Sequence, residues 1–283
     1  MNQSAARWHV KVNATDEEVY PILARDLVWN CFALADLEPP LRAYSQFALA
    51  LRDDGDVRAV CLILRHPIIG EVISPFGDEE GIGAILQRVD LPEHPLIQVQ
   101  EMHSPLLQRY YRPEAAWREL LRMAITASAW QASEHMPSQS IKQLDQADLP
   151  ALRRLYAQYA GHHFSADLFA PFPQSLYFGA YRGEHIIAAG GTHVVVPAHK
   201  FAVLGNILTA ADARRQGYAT AITSALITRL FEQGFSHVIL NVFADNADAI
   251  RIYQRLGFRT HHRLVTGKSV LTDRTAYSSG GSV

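Results

Sequence analysis

Hydrophobic positions follow two patterns along the chain. Apolar runs bounded by polar turns predict β-strands, and apolar residues three and four positions apart predict helices. Apolar runs flank the polar turns Asp53–Asp56 and Arg182–Glu184, which predicts β-hairpins over residues 47–64 and 175–196. A third strand, 68–77, and a short helix, 78–89, follow the first hairpin. Another segment, 114–130, carries apolar residues at helical spacing, and we expect it to be a helix: its stripe is Trp117, Leu120, Leu121 and Ala124.

The second half of the chain has a regular order of predicted strands and helices. Besides the hairpin, apolar runs predict strands, and apolar residues three and four positions apart predict helices. Asn246 is a suitable cap for the last helix, and Gly234 and Gly257 are suitable helix ends. The predicted strands are 141–144, 200–209, 235–243 and 258–265, and the predicted helices are 145–160, 219–233 and 247–257.

Length and a polar segment predict two domains. The chain has 283 residues, more than the ~100–200 of a typical domain. Residues 134–140, "EHMPSQS", are polar, contain Pro137 and form a plausible linker, so we expect domains over residues 1–136 and 139–275. The two hairpins fit a weak internal repeat, although hairpins resemble one another without common descent.

Composition excludes several function classes. The net charge of −2 predicts no general attraction to nucleic acid or membrane. The N-terminus lacks the apolar core of a signal peptide, and Cys31 and Cys61 are too few for a disulfide scaffold, so we expect a reduced, cytoplasmic setting. The histidine pairs 162–163 and 261–262 lack a third ligand at metal-site spacing, and no metal is predicted.

The stretch "ARRQGYAT", residues 213–220, places basic residues at the start of an apolar helix. Basic residues there oppose the helix dipole, so an anionic ligand would explain them. Free backbone N–H groups of a first helical turn bind phosphate, and Gly217 lets a ligand approach the backbone closely. Arg214 and Arg215 can neutralise its charge. This strand–loop–helix segment therefore predicts a pyrophosphate site.

Two motifs resemble those of the GNAT superfamily of acyl-CoA-dependent N-acyltransferases. Arg214–Ala219, "RRQGYA", fits the pyrophosphate loop Q/R-x-x-G-x-G/A, and Asn246, Ala249, Tyr253, Gly257 and Phe258 fit N-x-x-A-x-x-x-Y-x-x-x-G-F. The resemblance covers roughly residues 139–270. The whole chain is also similar to two-domain bacterial members related to glycine N-acyltransferase-like proteins. The resemblance implies an α/β (α+β) GNAT fold, which is a central mixed twisted sheet flanked by helices, and a degenerate GNAT-like N-terminal domain.

The resemblance also implies acetyl-CoA as co-substrate and a set of contacts for it. In the family, strand four bulges and separates from strand five, and the acyl-pantetheine arm lies in the gap. Gly205-Asn206 is a credible bulge, because glycine inside a strand often marks one. The implied cofactor-binding residues are Ile207, Leu208, Thr209, Arg214, Arg215, Gln216, Gly217, Tyr218, Ala219, Thr220, Asn241, Asn246 and Ala249.

Two residues are candidates for proton transfer. Asn246, Ala249 and Tyr253 share one helix face. The resemblance implies that Tyr253 is the general acid that protonates the leaving thiolate. Without the resemblance, Tyr253 would be interpreted as a tyrosine packed in the core. The strand 200–209 lacks the glutamate that many members use as base. His193 is the nearest substitute, or a structural histidine. Without a strong base, an amine of lower pKa is the easier acceptor.

The expected function is acetyl transfer from acetyl-CoA to a primary amine of a small molecule or peptide, by direct attack in a ternary complex. The alternative is a non-catalytic acyl-CoA-binding or regulatory module. A dinucleotide-binding fold is disfavoured, since no G-x-G-x-x-G follows a first strand.

In the first domain, Asp78, Glu79 and Glu80 stand where a phosphate loop would need basic residues, so that domain is expected to bind no CoA and to be structural or to shape the acceptor pocket. The oligomeric state stays open.

Overall fold

A computed structural model of the chain describes residues 8–131, 141–159 and 175–272. These residues form two compact units. One contains the described residues up to Leu121 and again from His262 onward, and the other contains Arg122–His261. The first unit is therefore made of two segments of the chain, and the second unit is a single continuous segment. The predicted domains 1–136 and 139–275 stay a prediction, and the predicted linker lies outside the described residues.

The elements are numbered in chain order. The strands are β1 (His9–Val12), β2 (Ser45–Leu51), β3 (Val57–His66), β4 (Gly70–Gly77), β5 (Leu96–Gln100), β6 (Tyr111–Pro113), β7 (Arg118–Thr126), β8 (Ile141–Gln143), β9 (Tyr177–Arg182), β10 (His185–Val196), β11 (Phe201–Thr209), β12 (His237–Phe243) and β13 (Arg259–Leu271). The α-helices are α1 (Asp16–Leu23), α2 (Cys31–Ala35), α3 (Glu79–Leu86), α4 (Ser104–Leu107), α5 (Leu149–Tyr159), α6 (Tyr218–Glu232) and α7 (Ala247–Arg255). Both predicted hairpins are therefore confirmed.

The first unit is a mixed sheet covered by helices. Its strands lie in the order β1, β2, β3, β4, β5 and the last part of β13. All of these pairings are antiparallel except that of β4 with β5, which is parallel. Helix α3 packs on β2 and β3, where Ile82 and Ile85 are fully buried. Such burial of whole apolar side chains is the main stabilising contribution to a fold of this kind.

The second unit repeats this architecture. Its strands lie in the order β7, β12, β11, β10, β9 and β8, and β11 pairs with β12 in parallel. Helix α6 packs against β9, β10 and β11, and α5 packs against β10. Mixed sheets flanked by helices in both units confirm the predicted fold class.

The predicted helix over residues 114–130 is wrong, because the segment forms the strand β7, Arg118–Thr126. Every side chain from Leu120 to Ile125 is buried. A strand that is covered on both faces reads as a continuous apolar run, and its periodicity cannot be told from that of a buried helix. Only the tertiary contacts of the segment separate these alternatives.

None of the helices in the described part of the chain has the length and apolar content that crossing a bilayer requires. Cys31 and Cys61 are both buried and unbridged.

Candidate active site

The two parallel strands of the second unit separate partway along their length. They are paired from Phe201 with His237 to Leu204 with Leu240, and the pairing ends there. Gly205 on β11 and Asn241 on β12 are therefore the first residues past the pairing. Beyond them, Ile207, Leu208 and Thr209 are half-buried; Leu208 and Thr209 still pair with β10, but the edge of β11 that faced β12 is no longer paired. A strand edge of this kind offers unpaired backbone N–H and C=O groups to a bound extended chain.

A bulge in β11 begins at this point. Gly205 pairs with Gly191, and Leu208 pairs with Ala189. Strand β11 therefore advances by three residues where β10 advances by two, which leaves one extra residue in β11. Asn206 takes a left-handed conformation with φ of 56°, which asparagine tolerates better than most residues. The predicted bulge at Gly205-Asn206 is confirmed.

Two tyrosines hold the bulge in place. The Tyr156 hydroxyl of α5 donates to the Asn206 carbonyl, and the Asn206 Nδ2 donates to the Tyr177 hydroxyl of β9 at 3.0 Å. Burial raises the pKa of Tyr177 to about 12 and raises the pKa of Tyr156 well above its usual value, so both phenols are protonated at neutral pH, as the bond that Tyr156 donates requires. Sequence reasoning missed this pair.

His193 lies in a second bulge, on β10. It is the extra residue between Thr192, paired with Leu204, and Val194, paired with Val203. A Cβ placed on Gly205 would come within 3.0 Å of the His193 Cβ, so the absence of a side chain at Gly205 makes room for the histidine. The imidazole keeps an accessible surface, while the protein atoms crowded around it lower its pKa by desolvation. A neutral imidazole beside the point where the strands separate can accept a proton.

A buried arginine reaches Asn241. Arg122 of β7 is 2% exposed, and its Nε donates to the Asn241 Oδ1 at 3.0 Å. This bond orients the Asn241 amide at the branch between β11 and β12. Sequence reasoning missed Arg122, because the segment was taken for a helix and a lone arginine in an apolar run carries no motif.

The loop before α6 has the conformation of an anion site. Arg215 and Gly217 both take left-handed conformations, with φ of 61° and 86°. Alternating backbone conformations of this kind make concave arrangements of N–H groups that suit phosphate, and the N–H groups of a first helical turn have no partner within their helix. Arg214, Arg215 and Gln216 are exposed. The loop therefore has the charge and the backbone shape that a pyrophosphate would need, and its role as a pyrophosphate site stays a prediction.

Side chains of the loop fix its backbone. The Arg214 Nε donates to the Thr209 carbonyl at 3.3 Å, and the Gln216 Nε2 donates to the Asp212 carbonyl at 3.2 Å. Asp212 forms an ion pair with Arg182 at 2.8 Å, which offsets the one acidic charge in this turn. Tyr218 is 6% exposed, so its side chain belongs to the core and only its backbone can face a ligand, whereas Ala219 and Thr220 are half-buried.

Tyr253 lies on α7, which Asn246 caps by accepting from the Ala249 backbone N–H at 3.2 Å. Tyr253 is 8% exposed, and its ring meets Phe258 edge-on, with centroids 5.8 Å apart. Within the described part of the chain, no group hydrogen-bonds its hydroxyl. Burial raises the pKa of Tyr253 to about 12. The phenol is therefore protonated at neutral pH, as a proton donor must be.

No group of three metal-ligating side chains lies close together in the described residues. The predicted histidine pair 162–163 lies outside them.

Comparison with known proteins agrees with the two sequence motifs. Residues 139–258 match the Acetyltransferase (GNAT) family. The [ribosomal protein bS18]-alanine N-acetyltransferase of Escherichia coli K12 is 32% identical over 121 residues, which are 42% of this chain and 80% of that enzyme. The chain belongs to the GNAT acetyltransferase family.

Solved structures extend the GNAT fold over nearly the whole chain. A GCN5-related N-acetyltransferase from Sphaerobacter thermophilus has a TM-score of 0.57 at 18% identity and covers 93% of this chain and 95% of its own. A Drosophila protein has a TM-score of 0.66 at 13% identity and covers 91% of this chain and 98% of its own. At these identities the likeness concerns the fold alone. The finer resemblance to glycine N-acyltransferase-like proteins stays a prediction.

Proposed function

We propose that the second unit transfers an acetyl group from acetyl-CoA to the primary amine of a peptide or small molecule. The observation that supports it most is the separation of β11 from β12 after Leu204 and Leu240, with the bulge at Asn206 held open by two tyrosines. In this proposal the pantetheine arm lies along Ile207–Thr209, the pyrophosphate binds the loop Arg214–Thr220, and Asn241, Asn246 and Ala249 line the other side.

The proposed reaction is a direct attack. The amine nitrogen forms a bond to the thioester carbonyl carbon, the C–S bond breaks, and the products are an amide and CoA thiol. Tyr253, as the acid, donates a hydrogen bond to the developing thiolate, and the released thiolate takes up a proton from solvent to give the thiol. The proton lost by the amine goes to His193, whose lowered pKa keeps the imidazole neutral at pH 7. Protonation of His193 should then lower activity only below the ordinary histidine pKa of ~6.5, in addition to the loss caused by protonation of the acceptor amine.

The proposed acceptor is an α-amine. An α-amine has a pKa of ~7.7–8.0 and a lysine amine ~10.4, so the lysine amine costs roughly 3 kcal/mol more to deprotonate. Strand β11 carries no carboxylate that could offset this difference. The relative that acetylates an alanine of ribosomal protein bS18 makes peptides with N-terminal alanine the first acceptors to test.

The test follows thiol release from acetyl-CoA with two matched peptides at pH 7. One peptide has a free N-terminal alanine and no lysine, and the other has a blocked N-terminus and one lysine. We expect release with the first and much slower release with the second. Equal rates would refute the α-amine preference. Tight binding of acetyl-CoA without turnover on any amine of a wider panel would instead favour the alternative, a non-catalytic acyl-CoA-binding module.

A further inference from the structure

A glycine separates two polar side chains on one face of the second unit's sheet. Residues 201–204 of β11 pair in register with residues 237–240 of β12, so Gly205 and Asn241 are the next residues of the two strands. Matching positions of paired strands point to the same face of a sheet. Asn241 therefore lies on the face to which a side chain at Gly205 would point. A Cβ at Gly205 would lie 3.0 Å from the His193 Cβ, so His193 is on this face as well.

The glycine leaves a gap between the two polar side chains. Neighbouring strands lie about 4.8 Å apart, so the backbones of His193 on β10 and Asn241 on β12 are roughly 10 Å apart or more. His193 is exposed and Asn241 is half-buried, so both side chains have accessible surface. A group as small as an acetyl thioester has room between the imidazole and the amide.

The Asn241 amide has one possible orientation. Its Oδ1 accepts from the Arg122 Nε at 3.0 Å, and an amide nitrogen in the same place would set one donor against another. Its Nδ2 is therefore on the side away from Arg122. This nitrogen has no hydrogen-bond partner among the described residues, and it is not enclosed by them either. An N–H donor thus faces accessible space at the point where β11 and β12 separate.

Arg122 also strengthens this donor. Its guanidinium group is charged, and a hydrogen bond from a charged donor is stronger than one between neutral groups. Hydrogen bonds that form a chain polarise one another, and the effect is larger away from water. Arg122 is 2% exposed, so its bond to Asn241 lies in such surroundings. The N–H groups of Nδ2 are therefore suited to an acceptor that becomes negatively charged.

The proposed course of the pantetheine arm brings the thioester to this donor. The loop proposed for the pyrophosphate follows the C-terminal end of β11, and the arm runs back along Ile207–Thr209 toward Gly205. The far end of the arm carries the acetyl group. That group therefore reaches the gap between His193 and Asn241.

We propose that Asn241, oriented by Arg122, donates a hydrogen bond from Nδ2 to the thioester carbonyl oxygen and stabilises the negative charge that this oxygen gains in the transition state. When the amine nitrogen bonds to the carbonyl carbon, an electron pair of the C=O bond moves to the oxygen, and it returns as the C–S bond breaks. Asn241 touches the reacting group, whereas Arg122 is a positioning residue. The inference rests on the proposed acetyl transfer.

The first test observes the contact without turnover. Isotope-edited infrared spectra of acetyl-CoA, labelled at the carbonyl carbon and bound to the full chain without an amine, report hydrogen bonds to the carbonyl oxygen. We expect the carbonyl band at higher frequency in Asn241→Ala than in wild type. Gln233→Ala, which removes an exposed amide at the end of α6, is the control and should leave the band unchanged. The same band in wild type and Asn241→Ala would overturn the proposal.

The second test measures kcat in the single and double variants. Asn241→Ala should lower kcat about 10²–10³-fold with a much smaller change in acetyl-CoA affinity, because the contact strengthens as charge develops. Arg122→Met should lower kcat about tenfold in wild type and cause no further fall in Asn241→Ala. An equal fall in both backgrounds would overturn the positioning role. If Arg122→Met does not fold, Asn241→Asp keeps an oxygen for Arg122 and removes the donor; wild-type kcat in that variant would overturn the proposal.

The outcomes separate this inference from the acetyl transfer on which it rests. Thiol release by wild type together with a fall of less than about tenfold in Asn241→Ala would overturn the inference and leave the acetyl transfer standing. No thiol release with any amine would refute the acetyl transfer, and the infrared comparison would still decide whether Asn241 contacts the carbonyl oxygen.

Discussion

Replacing Tyr253 with phenylalanine isolates one hydroxyl of the proposed mechanism. The ring is buried and packs edge-on against Phe258, so the substitution keeps its packing. No group among the described residues hydrogen-bonds the Tyr253 hydroxyl, so removing it breaks no hydrogen bond within them. We therefore expect the free energy of unfolding to change by less than about 1 kcal/mol and the affinity for acetyl-CoA to stay the same.

The size of the catalytic effect follows from the raised pKa of the phenol. Burial raises the pKa of Tyr253 to about 12, whereas a free thiol has ~8.5. Complete proton transfer to a free thiolate would be uphill by roughly 5 kcal/mol. The hydroxyl can therefore act mainly by hydrogen-bonding the developing thiolate, and a bond to a charged group contributes ~1.5–3 kcal/mol. Tyr253→Phe should lower kcat by about 10- to 150-fold.

The assay measures thiol release at saturating acetyl-CoA with the alanine peptide, together with calorimetric binding of acetyl-CoA. Tyr110→Phe, which alters a half-buried tyrosine of the first unit, is the matched control and should keep wild-type kcat. Because the phenol stays protonated, kcat should show no loss from this group as pH rises to about 10. A fall in kcat below about tenfold, with affinity unchanged, would refute the acid role and leave Tyr253 as a packing residue.

Three further predictions follow from the described contacts. Gly217→Glu should abolish calorimetric binding of acetyl-CoA in a folded protein, since it puts bulk and negative charge in a loop with φ of 86°; retained binding would contradict the phosphate site. Asn206→Ala should unfold about 1 kcal/mol more easily than Asn206→Gly in urea, because both lose the bond to Tyr177 and only alanine resists φ of 56°; equal stability would contradict the strain. Burial raises the pKa of Asp36 to about 7, so the wild-type protein should lose stability as pH rises from about 4 to 7. Asp36→Asn should show no such loss, and at pH 8 it should be more stable than wild type by on the order of 2–4 kcal/mol in urea unfolding. A parallel loss of stability in both proteins would contradict this assignment.

Local patterns were enough to predict most elements of the second unit. The hairpin turn at Arg182–Glu184, the strand ending at Thr209 and the cap at Asn246 depend on neighbours in sequence, and the structure has each of them. The bulge at Gly205-Asn206 was also predictable, because glycine inside an apolar strand is a local signal. The helix prediction for residues 114–130 was wrong because burial on both faces removes the periodicity that separates a strand from a helix.

The sequence by itself determined the family and the helix face that carries Tyr253, and it predicted a pyrophosphate loop, because these depend on residue types at fixed spacing. Only the tertiary structure decided what surrounds them. Tyr156 and Tyr177 reach Asn206 from 50 and 29 residues away, and Arg122 reaches Asn241 from 119. Likewise, Asn30 Oδ1 and His103 Nδ1 lose their water only on folding, which buries both atoms without a hydrogen-bond partner among the described residues. Spacing along a chain encodes local geometry, whereas desolvation and contacts between distant residues arise from packing.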